Sequence, residues 1–124
     1  MAGIIFYKTH NLQEIVDFYI SLGSKIWLDQ GDCVILRHDN FLFGFCERKG
    51  DITKGWLTTF FYQTPKEVDT IYEEMKDRAE TQPLKNEKYN IYQFFAKDPE
   101  GRGLEFQAFL HEIDFNWQFS DQKQ

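Results

Sequence analysis

The chain has 124 residues and a formal net charge of −6 at pH 7, and 18% of it is aromatic, with 13 Phe, 6 Tyr and 3 Trp. That length can bury a core without staples, while an acidic chain with no stripe of Lys or Arg excludes nucleic acid and anionic membrane surfaces as partners. No apolar run approaches the roughly 20 residues of a membrane span, and Met1-Ala2-Gly3 lacks a basic region before a hydrophobic stretch. A cytoplasmic protein is expected. The aromatic bulk exceeds what one small core needs, so part of it should line a cavity or an interface.

The first apolar segment, Gly3–Lys8, reads as a strand. Thr9-His10-Asn11-Leu12-Gln13-Glu14 then opens a helix, with Asn11 as N-cap and Glu14 completing a capping box. Leu12, Ile15, Tyr19 and Leu22 share one helical face, and Gly23 ends the segment. Three strand-like runs follow, Lys25–Asp29, Asp32–His38 and Phe41–Glu47. A two-residue turn at Asp39-Asn40 would set Cys33 opposite Cys46 as a non-hydrogen-bonded pair. A cross-strand disulfide is sterically allowed there, but two reduced core thiols are the expected state, since nothing else points to an oxidising compartment.

After the polar linker 48–55 the pattern begins again. Trp56–Tyr62 is apolar, and Thr64-Pro65-Lys66-Glu67 starts a second helix with proline in its first turn and Val68, Ile71, Tyr72 and Met75 as its buried stripe. An offset of 53 residues lays Asn11 on Thr64, Glu14 on Glu67, Ile15 on Val68 and Tyr19 on Tyr72. A weak strand, Thr81–Leu84, and two firmer ones, Tyr89–Ala96 and Gly103–Leu110, complete a second β-α-β-β-β unit. One such repeat cannot cover its own sheet. Two are expected to pair in an α+β fold, with helices on one face of each curled, mixed sheet and the opposite faces enclosing a cleft. The domain plan is one domain, 1–124: module one 3–47, linker 48–55, module two 56–110 and a C-terminal arm 111–124. In the arm, Ile113, Phe115, Trp117 and Phe119 alternate with polar residues, and residues 112–119 are expected to lie across the cleft mouth or on a partner subunit.

The most informative run is Asp98-Pro99-Glu100-Gly101-Arg102-Gly103-Leu104-Glu105-Phe106, a turn signal that empties into an alternating strand. Leu104, Phe106, Ala108 and Leu110 form one face, while Gly103, Glu105, Gln107 and Phe109 form the other. Glu105 is thereby held in the middle of an apolar strand, and burying a carboxylate is costly unless a cation, a metal or hydrogen-bond donors compensate it. With the helix stripes claiming the Leu104 face, Glu105 should point into the cleft.

The paired βαβββ modules, the Asn11–Gly23 helix with Phe18-Tyr19 and Leu22-Gly23, and the final Asp98-Pro99-Glu100-Gly101…Leu104-Glu105-Phe106 resemble the vicinal oxygen chelate superfamily of glyoxalases, bleomycin-resistance proteins and extradiol dioxygenases. The resemblance covers roughly residues 3 to 110. It implies that metal-dependent members hold a cleft metal by His, Glu or Gln on the first and last strands of a module. Glu105 matches the last-strand carboxylate. The first-strand positions, near Ile4 and within Trp56-Leu57-Thr58-Thr59, carry neither imidazole nor carboxylate, and Phe41-Leu42-Phe43-Gly44-Phe45 supplies only hydrocarbon. A catalytic divalent site needs about three protein ligands, so no metal cofactor is expected. His10, His38 and His111 fall at element edges, where surface positions are the simpler reading.

A metal-free aromatic cleft is a binding cavity. Alternation proposes Phe43 on the fourth strand, Trp56 or Phe60 on the fifth, Tyr92 and Phe94 on the seventh, and Gln107 and Phe109 on the eighth as its lining, with Glu105 and Gln107 orienting a planar or apolar ligand. The alternative is an enzyme. It would be a metal-dependent lyase, isomerase or dioxygenase with Zn, Ni, Mn or Fe on non-standard ligands around Glu105, or a metal-free one with Glu105 as catalytic general base. The resemblance also implies a homodimer, which would cover exposed strand edges.

Overall fold

Capping sets both helices. In the computed structural model, which describes residues 3–55 and 57–113, the Asn11 side chain accepts from the Glu14 amide at 3.2 Å and starts helix α1, Leu12–Ser21. Thr64 does the same for the Glu67 amide at 3.3 Å and starts α2, Pro65–Glu74. Gly23, at φ 105°, adopts the left-handed conformation that lets the Ser24 amide turn back onto the Tyr19 carbonyl and close α1.

Around α1 lie β1 (Ile4–Thr9), β2 (Lys25–Asp29), β3 (Cys33–His38) and β4 (Phe41–Glu47), in sheet order β1-β4-β3-β2. Around α2 lie β5 (Thr58–Tyr62), β6 (Leu84–Asn86), β7 (Ile91–Lys97) and β8 (Gly103–Phe109), in order β5-β8-β7-β6. In each sheet the first strand runs parallel to the last, and the remaining neighbours are antiparallel. The fold is therefore α+β with two βαβββ modules, as the repeat predicts. The chain divides into two compact units between Lys54 and Gly55. Linker residue Thr53 exchanges hydrogen bonds with the Lys8 backbone and so lies along the β1 edge.

In the first unit Ile15, Val16 and Tyr19 of α1 are buried against β4, where the Tyr19 ring sits 5.2 Å from both Phe43 and Phe45. The second unit repeats the scheme: Val68 is fully buried, Tyr72 meets Phe94 edge-on at 5.3 Å, and Phe94 and Phe60 stack on Phe106. Each such aromatic contact adds about 0.5–1.5 kcal/mol beyond area burial.

Two expectations are corrected. The weak strand lies at Leu84–Asn86, not Thr81–Leu84, because Pro83 has no N–H to give a ladder. Residues 79–81 instead cap the far end of β7, where the Glu80 amide donates to the Phe95 carbonyl at 2.7 Å and Ala79 bridges Ala96. The second correction concerns the thiols. Cys33 and Cys46 pair across β3 and β4 at a Cα separation of 4.0 Å and form a disulfide. The hairpin arithmetic placed them correctly, and the close non-hydrogen-bonded register brings the sulfurs together. Thiol state therefore lends no support to a reducing compartment. Among the described residues no helix is long and apolar enough to cross a membrane.

Candidate functional site

Strand parity decides which side chains leave the helix-covered faces. Leu104, Phe106 and Ala108 of β8 are buried under α2, so Glu105, Gln107 and Phe109 point to the other, open face. Register places Thr59 and Phe61 of β5 beside Glu105 and Gln107, and Phe95, Gln93 and Ile91 of β7 opposite Glu105, Gln107 and Phe109.

On that face four side chains join across all four strands. Asn86 Nδ2 on β6 donates to Gln93 Oε1 at 2.8 Å. Gln93 Nε2 donates to Glu105 Oε2, and Thr59 Oγ1 on β5 donates to Glu105 Oε1 at 2.7 Å. Glu105 and Gln93 are both 8% exposed. The carboxylate is thus compensated by donors from its two flanking strands. Each carboxylate oxygen keeps a second lone-pair site. Around the ladder stand Phe95 and an edge-on pair, Phe61 and Phe109, 5.9 Å apart. The amide oxygen of Gln107 is buried with no hydrogen-bond partner among the described residues.

Of the expected lining residues, Gln107 and Phe109 share the open face with Glu105. Phe43, Phe60, Tyr92 and Phe94 do not. Phe43 packs on Tyr19 of α1, and Phe60 and Phe94 stack on Phe106. The Tyr92 hydroxyl donates to Asp69 of α2 at 2.6 Å, a bond that pushes its pKa up to about 12. The reason is parity: strands apolar on both faces carry no alternation from which to tell one face from the other. Trp56 lies outside the described residues, as does most of the expected arm, from residue 114 onward.

Thr59, Asn86, Gln93, Phe61 and Phe95 went unread. The signal was available for two of them, because the β7/β8 hairpin closed by the Asp98–Arg102 turn opposes Phe95 to Glu105 and Gln93 to Gln107. The turn itself is a structural staple. Asp98 and Arg102 are 2% exposed and paired at 3.0 Å, Glu100 accepts from the same guanidinium nitrogen at 3.0 Å, and Asp98 Oδ1 takes the Glu100 and Arg102 amides at 2.9 Å.

The donor set around Glu105 does not fit a divalent metal. Beside this one carboxylate stand the Thr59 hydroxyl and the N–H end of the Gln93 amide, whose oxygen accepts from Asn86, and the facing β7 position is Phe95. Among the described residues no three His, Cys, Asp or Glu side chains gather as a metal-holding group. The histidines have other engagements: His10 Nε2 lies 2.5 Å from the Gly50 carbonyl oxygen, His38 Nδ1 3.0 Å from Ser24 Oγ, and His111 5.6 Å from the Phe109 ring. Burial lowers the His38 pKa below its usual value, against an opposing pull from Asp39.

No protein-family model and no curated protein match the sequence. Solved structures do match the backbone. The hypothetical protein SA1046 from S. aureus is 17% identical with a TM-score of 0.74, covering 87% of this chain and 93% of that one. A glyoxalase/bleomycin resistance protein/dioxygenase family enzyme from Burkholderia phytofirmans PsJN is 17% identical with a TM-score of 0.74, covering 86% and 97%. A glyoxalase/bleomycin resistance protein/dioxygenase from Nocardioides is 16% identical with a TM-score of 0.71, covering 93% and 87%. Likeness at these identities speaks for the backbone alone, and the backbone is that of the glyoxalase/bleomycin-resistance/dioxygenase proteins.

Proposed function

We propose that this protein binds a small planar or apolar organic molecule against the open face of the β5-β8-β7-β6 sheet and works without the metal centre of the metal-dependent vicinal oxygen chelate proteins. The observation that carries this reading is the ladder of Asn86, Gln93, Glu105 and Thr59 set among Phe61, Phe95 and Phe109. Aromatic rings supply contact area, and a carboxylate with lone pairs to spare orients a ligand that carries an N–H donor or a cation. The net charge of −6 favours the same ligand class. A homodimer belongs to the proposal, since β1, β2, β5 and β6 are sheet edges that a second subunit would cover. The metal-dependent enzyme alternative needs two further metal donors near Glu105, and the neighbouring side chains are an alcohol, an amide turned by its N–H end and a phenyl ring.

Thermal unfolding with matched probes tests the reading. Tryptamine and other planar aromatic amines should raise the unfolding midpoint more than uncharged isosteres such as 3-ethylindole. At a hundred times Kd the stabilisation is about 2.7 kcal/mol. Phe109→Ala should abolish the shift. Equal shifts in wild type and Phe109→Ala, or no shift with any probe, would overturn the site, and stoichiometric Zn, Ni, Mn or Fe in the purified protein would overturn the metal-free reading. Light scattering at micromolar concentration checks the dimer, and a monomer mass would remove it.

A further inference from the structure

We propose that Cys46 is the point of attack for a small thiol of the glutathione class, and that the Cys33–Cys46 disulfide is an exchange site with a fixed direction. The two sulfurs differ in what surrounds them. Cys33 is 8% exposed and accepts from Arg48 Nη2 at 3.6 Å, whereas Cys46 is partly open to solvent. Arg48 is itself held, donating through Nη1 to Asp32 Oδ2 at 2.9 Å and to the Glu47 carbonyl at 2.8 Å, which leaves Nη2 on the sulfur. A guanidinium beside a sulfur favours its thiolate, and the thiol with the lower pKa leaves faster in exchange. Cys33 is therefore the leaving sulfur and Cys46 the attacked one.

The surroundings also select the thiol. Next along the chain from Cys46 is a groove lined by His10, Glu47, Arg48, Lys49 and Gly50, where Lys49 is positive, Glu47 is negative and Arg48 is paired with Asp32. Charges of both signs suit a thiol that carries both carboxylate and ammonium groups, the glutathione class. In the first step the incoming thiolate bonds to Cys46 Sγ, the bond between the two cysteine sulfurs breaks, and its electron pair leaves on Cys33 Sγ against Arg48. A second thiolate then attacks the reductant sulfur of the mixed disulfide and releases Cys46 as thiolate. Two reductant thiols are oxidised to one disulfide, one protein disulfide is reduced, and their protons are exchanged with solvent. The hairpin survives because β3 and β4 stay paired from Cys33–Cys46 to His38–Phe41 and because Phe43 and Phe45 remain packed on α1.

The test is reaction of the folded full-length protein with reduced glutathione, acid quenching over a time course and peptide mass mapping. The expected early species carries glutathione on Cys46 with Cys33 free. Arg48→Met should slow its formation about tenfold, and Arg48→Lys should recover part of the rate. Glutathione on Cys33, an unchanged rate in a folded Arg48→Met protein, or reduction only after denaturation would each overturn the proposal. So would isolation of a folded protein whose two thiols stay free in oxidised glutathione.

Discussion

The two repeats share a backbone plan and differ on their open faces. In the first, β4 presents Leu42, Gly44 and Cys46 there, and β1 lays Ile4, Phe6 and Lys8 beside them. The Phe6 ring lies so close over Gly44 that a β-carbon added to the glycine would fall 2.6 Å from Phe6 Cε1. In the second, β8 presents Glu105, Gln107 and Phe109, with Thr59 and Phe61 beside them. The helix-covered faces are alike, with aromatic rings under a tyrosine in both. Packing under the helix preserves the fold, so divergence is confined to the alternate positions of the same strands. One set has become an apolar face carrying a disulfide, the other a polar ladder.

The widest contrast is between the two faces of one sheet. Phe106→Ala empties a fully buried site among Phe60, Phe94 and α2 and should cost about 3–5 kcal/mol in urea denaturation. Phe61→Ala, on the open face and 36% exposed, should cost under about 1 kcal/mol. Similar losses from both would erase the distinction between core face and open face. The hairpin connections can be compared in the same way. The first repeat turns at Asp39-Asn40, with Asp39 at φ 53°, whereas the second relies on the buried Asp98–Arg102 pair. Arg102→Met strands the Asp98 carboxylate and should cost about 3–5 kcal/mol. A loss below about 1 kcal/mol would mean that the amide bonds alone hold the turn.

What was legible in the sequence follows the same division. Capping residues act locally, so Asn11–Glu14 and Thr64–Glu67 marked both helix starts. Hairpin register follows from a two-residue turn, so the Asp39-Asn40 turn alone sets Cys33 opposite Cys46. Glu105 stood out because a single carboxylate interrupts an apolar strand. Side-chain facing failed where alternation failed: β7 reads Ile-Tyr-Gln-Phe-Phe-Ala, and tertiary packing alone decides that Phe94 lies under α2 while Phe95 lies beside Glu105. The disulfide was missed for another reason. Register fixes the proximity of two sulfurs, but the prior on compartment outweighed it.

The ladder gives a sharper test of the second open face. Glu105→Ala leaves the Gln93 amide and the Thr59 hydroxyl without their acceptor, at about 1–3 kcal/mol. Gln93→Leu removes a donor from the same carboxylate. Since the two residues share one bond, a double-mutant cycle should return a coupling of about 0.5–3 kcal/mol. Strict additivity would show that the ladder is no energetic unit and would leave Glu105 an isolated carboxylate.

The smallest expected effect belongs to the first repeat, where half-buried His38 ties the end of β3 to Ser24 after α1. Burial lowers its folded pKa, while the unfolded value stays near 6.5. Above the unfolded value both states are neutral at this site, and His38 adds no pH dependence. Between the two values the unfolded chain takes up the proton and the folded chain does not, so stability falls as pH drops. Below the folded value both are charged and the contribution is flat again. His38→Asn should therefore reduce the slope of unfolding free energy against pH just below 6.5. An unchanged slope in the variant would mean that burial does not hold His38 neutral in the folded chain.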